Sequence, residues 1–319
     1  MSWKRRSAIA SLLVLVSCGG GGSGSGAGSV VAPPAPTPSP SPTPTFTYGS
    51  FDLAVDRVYA GQVASVSTTQ RYVSDVAPFY AIESQDAALQ TNRGALELAY
   101  AANRTAVIRF GGETVSFASA DVTTNVADGV VWRRPRDTTR RGDSLSLGRL
   151  APRYQYLYSA VQEISEDVRQ PNTAAAFRDT FRYFLIGERT REGDAPTSGT
   201  STYPILLSTT AVGRNRGGGF AVSNGTLTID HGTGAVRATL AAEQSSVITG
   251  TPPVRATLVL AGTLTSSGIA GAISSPDSGY TGSFNGDLFG PRAVETGLVL
   301  TLARADGDRA AGVIYGRRN

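Results

Sequence analysis

The chain has one cysteine, one histidine and one methionine in 319 residues. Each scarcity removes a class of chemistry. A lone Cys18 closes no internal disulfide, and one histidine without a second cysteine leaves no set of the usual zinc ligands. Lysine occurs once, at position 4, so every other base is arginine. Long apolar stretches are scarce as well: the run from Ala8 to Val16 is roughly half the ~20 residues a spanning helix needs. The formal charge of +4 dissolves on inspection, because Lys4, Arg5 and Arg6 lie in a segment expected to be removed, leaving 26 bases against 25 acids. Nucleic-acid binding thereby loses its electrostatic support. What remains, 40% hydrophobic and 17% charged, is enough for a buried core.

The beginning of the chain reads as an address. "MSWKRRSAIASLLVLVSC" has a basic start, an apolar run and then Leu15-Val16-Ser17-Cys18, the layout of an export signal over residues 1–17. Its last four residues match the lipobox of bacterial lipoproteins, which implies a diacylglycerol on Cys18 and anchoring at a membrane. Residues 18–45 follow as a tether, flexible "GGGGSGSGAGS" and then stiffer "VVAPPAPTPSPSPTPT". At ~3.1 Å per residue, the stretch Pro33 to Pro44 reaches about 37 Å. Gly19 to Gly24 formally spell GxGxxG, but no strand precedes them, so the spacing is compositional. Gly and not Asp follows Cys18, which by resemblance to other envelope lipoproteins implies sorting to the outer membrane.

From Phe46 onward the pattern is alternation with period 2, punctuated by Gly, Asn and Asp. Leu96, Leu98 and Tyr100 share a face, then Ile108 and Phe110, then Val115 and Phe117. Tyr154, Tyr156 and Tyr158 read as one half-buried strand face. "SAVQEISEDVRQ" allows a helical turn or two carrying Glu163 and Glu166, with weaker helical hints over 75–90. The second half pairs strands around "HGTG", "SSG" and Asp306-Gly307, and along 282–288 glycine alternates with Phe284 and Leu288, as in the tapered interior of a small barrel. These features predict an all-β, mainly antiparallel chain: a β-rich domain over 46–187 and an eight-stranded up-and-down β-barrel over 188–319.

"GSFNGDLFGPRAVETGLVLTLARADGDRAAGVIYGRR" resembles the closing segment of the barrel domain in the transferrin-binding protein B family of surface lipoproteins. "APTSGTSTY" (195–203) and "GTLTIDHGTGAVRATL" resemble that barrel's opening strand and next hairpin, in the same order. The resemblance implies a handle-plus-barrel lobe, one lobe here where transferrin-binding protein B has two. It implies capture of a host or environmental protein, haem, an iron source or another solute, and delivery to an outer-membrane transporter. It also implies export to the cell surface by a lipoprotein assembly modulator. The rival reading is a structural, shielding or adhesive surface lipoprotein that carries no ligand.

Catalytic parts are few, and no enzyme, resident cofactor or metal is expected. His231 has Asp230 as its chain neighbour, which a strand would send to the opposite face; it reads as a turn residue. Glu163, Glu166 and Asp167 read as a solvated face before they read as a glycosidase carboxylate pair. Two arginine-rich stretches are candidate ligand contacts. "WRRPRDTTRR" (132–141), read as a loop, supplies Trp132, Arg133, Arg134 and Arg136, and "GRNRGGGF" supplies Arg214 and Arg216. Either could pair with an acidic partner or with the propionates of haem.

Overall fold

The computed structural model describes residues 46–72, 80–92, 94–135, 141–149, 151, 153–168, 176–213, 216–244 and 253–318, with backbone alone at 72, 80, 213, 216–218 and 221–224. Cys18 and the tether lie outside the described residues. Alternation wins throughout: the described elements are strands, broken by two 3-10 turns at Ser119–Asp121 and Pro291–Ala293.

The first sheet holds ten strands: β1 (Arg57–Tyr72), β2 (Tyr80–Gln90), β3 (Leu96–Tyr100), β4 (Ala106–Phe110), β5 (Glu113–Phe117), β6 (Val122–Val126), β7 (Gly129–Arg134), β8 (Arg141–Gly148), β9 (Leu157–Asp167) and β10 (Ala176–Gly187). Their order is β5-β4-β3-β1-β10-β9-β8-β7-β6, and β2 pairs β1 beside this path. One edge of β1 carries two partners in succession, β3 through Arg57 to Gly61 and β2 through Val63 to Tyr72. The sheet therefore forks, and β3–β5 fold over its other half. The enclosed core contains Val63, Leu96, Leu98, Ile108, Trp132, Leu145, Tyr158 and Phe184, all essentially inaccessible.

The second sheet closes on itself. β11 (Thr200–Gly213), β13 (Phe220–Asp230), β14 (Ala235–Gln244), β15 (Val254–Thr265), β16 (Gly268–Ser274), β17 (Thr281–Phe289), β18 (Glu295–Ala303) and β19 (Arg309–Arg317) pair in sequence order. β19 then pairs back onto β11, Ile205 opposite Gly316 through Val212 opposite Arg309. Eight strands thus form a closed antiparallel barrel, with the short β12 (Arg216–Gly218) appended to β11. Closure removes the ring's free edges. Its lumen is packed by Tyr203, Leu227, Leu240, Leu258, Phe284, Leu298, Leu300 and Ile314 among others, so the interior is a core and holds no channel.

The stretch around 281–297 is architecture. Phe284 and Leu288 point into the lumen while Phe289 joins a separate apolar cluster outside it. A Cβ on Gly286 would sit 2.1 Å from the Gly297 carbonyl and 2.4 Å from Leu298, so that position admits only hydrogen. Gly290, at φ 70°, would drive a Cβ to 2.3 Å from the Tyr156 ring. There the strand stops and Pro291 starts the 3-10 turn.

The outer faces of β18 and β19 are buried against the first sheet. Val299, Ala311, Val313 and Tyr315 pack with Ala64, Val66, Tyr154, Leu157 and Leu185. Glu295 pins this contact: its side chain is fully buried, and its carboxylate accepts the N–H groups of Gln155 at 2.8 Å, Tyr156 at 3.0 Å and Leu157 at 2.7 Å. Burial pushes this carboxyl up; the three N–H groups and the Arg317 guanidinium at 3.6 Å pull it back toward the charged form. A second buried acid, Asp287, pairs with Arg189 at 3.2 Å and accepts from Gln62 at 3.4 Å.

Two expectations are corrected. The segment around Glu163 and Glu166 is strand β9, because its backbone is paired on both sides, to β10 and to β8; likewise 80–90 is strand β2. The three tyrosines do not share one strand face. Tyr154 and Tyr156 precede β9, with Tyr154 edge-on to Tyr315 and Tyr156 near Tyr48, while Tyr158 packs in the first sheet's own core against Tyr59.

Candidate functional site

The first sheet's inner face changes character along its strands. At one end it is the apolar core; at the other it opens as a polar cleft of ≈ 440 Å³. Strand register explains the cleft floor. Arg178 on β10 lies opposite Glu166 on β9, which lies opposite Arg141 on β8. Two rungs away on the same face, beyond Thr180 and Ile164, Arg182 lies opposite Gln162, to whose side chain it donates at 3.1 Å. Charge therefore alternates across the rung, each base beside an acid.

From above, the edge strand β5 lowers Glu113 onto this floor. Its carboxylate takes Arg141 on one oxygen and Arg182, at 2.8 Å, on the other. Burial alone would raise the Glu113 carboxyl, but the hydrogen bonds from Arg141 and Arg182 outweigh it and hold it below its ordinary value. Arg141 also reaches Asp143, at 3.2 Å, and Glu166, at 3.5 Å. Burial disfavours the Arg141 charge, and its bonds to Asp143 and Glu113 more than restore it. Arg134, at the end of β7, bonds Asp143 at 2.6 Å, donates to the Ser116 carbonyl at 3.0 Å and lies over the Phe117 ring.

These contacts define a seam. β5 and β6 are the two ends of the sheet, and beyond Val122 the strand β7 has no strand partner on that side among the described residues. The gap between β5 and β7–β8 is bridged by Arg134 to Ser116 and by Arg141 to Glu113. The groove between, of ≈ 240 Å³, is lined by Glu113 to Ser116 on one wall and Arg134, Pro135, Arg141 and Asp143 on the other. The first sheet is thus a cylinder left open along one line and zipped by side chains.

The arginine-rich stretch expected as a loop is, where described, the end of one strand and the start of the next. Trp132 is a core residue: it is fully buried, lies edge-on to Tyr100 and donates its indole N–H to the Arg104 carbonyl at 2.8 Å. Arg134 reaches the seam, and Arg133 is exposed on the opposite face of β7. Arg136 and Arg214 lie outside the described residues, and Arg216 is placed in β12 by its backbone alone. Sequence reasoning left Glu113, Glu166, Arg178 and Arg182 out of the site. Only the charges on β9 and β10 hint at Glu166, Arg178 and Arg182, whereas Glu113 comes from β5, remote in the chain from β8 and β10.

His231 occupies the turn after β13, its Nε2 2.8 Å from the Ser201 hydroxyl, which also accepts from Arg318 at 3.1 Å. Burial, and then the Arg318 charge, lower its basicity. The Asp230 carboxylate is spent on the Gly232 and Thr233 amides and does not orient the imidazole. Among the described residues no three His, Cys, Asp or Glu side chains gather as a metal site.

Fold and site together define an all-β lobe in which an open, charged, handle-like sheet is fastened to a closed and filled barrel. No family model and no curated protein matches the chain. Among solved structures it is similar to a variant of transferrin-binding protein B from Haemophilus parasuis, at 14% identity and TM-score 0.43, over 79% of this chain and 45% of that one. It is also similar to the N-lobe of lactoferrin-binding protein B from Moraxella bovis, at 8% identity and TM-score 0.41, over 80% of this chain and 99% of that lobe. Transferrin-binding protein B from Neisseria meningitidis aligns at 11% identity and TM-score 0.32, over 83% of this chain and 77% of that one. At such identities and scores the likeness names no ligand for this chain.

Proposed function

We propose that the protein is an outer-membrane surface lipoprotein, lipidated at Cys18, which captures a ligand on its handle-like sheet and passes it to an outer-membrane transporter. The single observation that carries the capture reading is the contrast of interiors. The barrel is closed and packed with apolar side chains, so it offers a ligand only its outside, whereas the handle presents an open cleft of ≈ 440 Å³ floored by arginines and acids. Polar clefts on a rigid scaffold suit recognition. Trp132 packs in the core behind β7; Arg134 and Arg136 would meet the ligand beside the cleft, and Arg133, on the outer face of that strand, would meet it only outside the cleft. Arg214 and Arg216 would form a second contact at the barrel. The ligand is a protein, haem or another iron source, or a small solute, and the chain performs no catalysis.

The lipobox and the tether supply the anchor half of the reading. Replacing Cys18 by Ser is expected to release the protein from membranes with its fold intact; retention in the membrane fraction would refute the anchor. Recovery of the native lipoprotein from cells, with mass spectrometry of what stays bound, tests capture. A protein that comes away empty, yet mediates saturable adhesion between cells, would favour a shielding or adhesive role.

A further inference from the structure

The polar cleft of the first sheet is lined by three bases, Arg141, Arg178 and Arg182, and three acids, Asp86, Glu113 and Glu166, so its lining carries no net charge. Four of the six are spent on one another. Glu113 takes Arg141 and Arg182, and Glu166, which lies opposite Arg178 in register, is reached by Arg141 at 3.5 Å. Arg178 and Asp86 are left, exposed and without an ion pair among the described residues. Arg178 makes one long contact, from its Nε to the Thr69 hydroxyl at 3.5 Å. Sheet register fixes where these two charges stand. Arg178 on β10 lies opposite Thr69 on β1, and Asp86 on β2 lies opposite Ser67, so the pair flanks β1 with an offset of two residues. With strands ~4.8 Å apart and a rise of ~3.3 Å per residue, their Cα atoms are about 12 Å apart. Both side chains line the cleft and so rise from one face of the sheet, which keeps their heads near that spacing.

From this we infer that the cleft accepts a dipeptide with both termini free, laid across β1 with its carboxylate on Arg178 and its ammonium on Asp86. A charge-assisted hydrogen bond of ~2.8 Å at each end leaves roughly 6 Å between the ligand's own charges. Two extended residues span that distance at ~3.3 Å each. The hydroxyls of Ser67 and Thr69, on the strand between the two heads, face the peptide unit and can both donate to it and accept from it. Sign selects the ligand as well. A solute of one charge satisfies one head and presses its excess on the other, whereas a zwitterion satisfies both and leaves the neutral balance of the lining intact. The inference rests on the reading of the handle as the capture surface and names the kind of small solute that surface takes.

The test is calorimetric titration of the full chain, purified from cells in detergent, with alanyl-alanine. Saturable binding is expected, weakened about tenfold or more by acetylating the peptide's amine and likewise by amidating its carboxylate. Free alanine, whose charges lie too close together to reach both heads, is expected to bind about tenfold more weakly or worse. Arg178→Gln is expected to lower the affinity and to make the peptide and its amide bind alike, while acetylation still weakens binding. Asp86→Asn is expected to do the reverse. Both side chains are exposed, so neither variant removes a packed group. No heat at roughly 10 mM peptide would overturn the inference. So would an affinity unchanged in both variants, which would put the peptide elsewhere on the chain, or equal binding of alanine and alanyl-alanine, which would remove the two-headed span. The capture reading falls on a different result, a lipoprotein recovered empty from cells, so the failure of one is distinguishable from the failure of the other.

Discussion

The two halves of this molecule solve one problem differently. Both curl an antiparallel sheet around an apolar core, yet the barrel completes its ring with backbone pairing from β11 to β19, whereas the handle stops short and closes its gap with Arg134, Arg141, Arg182 and Glu113. The first kind of closure is independent of side-chain charge. The second is made of guanidinium–carboxylate contacts, which water, acid or a competing anion can reach. A ring closed by backbone and one closed by side chains therefore differ less in core than in how the last two strands meet.

Glu295, which joins the halves, is where the comparison breaks most readily. Glu295→Ala would leave the N–H groups of Gln155, Tyr156 and Leu157 and the Arg317 guanidinium without their acceptor, and should destabilise the lobe by about 3 to 5 kcal/mol. Urea unfolding followed by near-UV dichroism measures this, and an unchanged midpoint would show that the clamp is dispensable. Inside the barrel, Gly286→Val must push aside the Gly297 carbonyl and Leu298, at a cost of about 1 to 3 kcal/mol. Its effect should be global, because every strand of the ring depends on its neighbours.

The smallest effect belongs to the seam. Glu113→Gln, in a partly exposed bridge, should cost about 1 kcal/mol or less, with faster exchange at β5 and no change in the barrel. The same bridge predicts an acid response. The Glu113 carboxyl lies below its ordinary value in the folded chain, so folding favours its charged form. The stabilisation is complete above the ordinary carboxylate range and is lost as pH falls through the lowered value. Exchange at β5 should accelerate as pH falls below the ordinary carboxylate range, before the barrel responds. Simultaneous loosening of both would argue that the seam is no weaker than the ring.

Much of the fold was legible in the chain itself. Period-2 alternation and turn residues marked the strands, and glycine beside Phe284 and Leu288 marked a tapered lumen. The helical reading of 159–170 failed because the spacing of Glu163 and Glu166 mimics a helical face, while pairing to β8 and β10 fixes the backbone as strand. Trp132 looked like an anchor in a basic loop because its neighbours are arginines; on strand β7 they alternate, and Trp132 turns to the core as Arg133 turns out.

The sequence by itself determined which residues alternate, where the chain turns, and that the chain has one cysteine and one histidine. Those are properties of local order, written in spacing and composition. Only the tertiary structure decided that the first sheet stays open, and that acids on β5, β8 and β9 converge on arginines of β7, β8 and β10. Register between strands far apart in the chain is set by packing and hydrogen bonding across the whole sheet, and no stretch of residues read alone contains it.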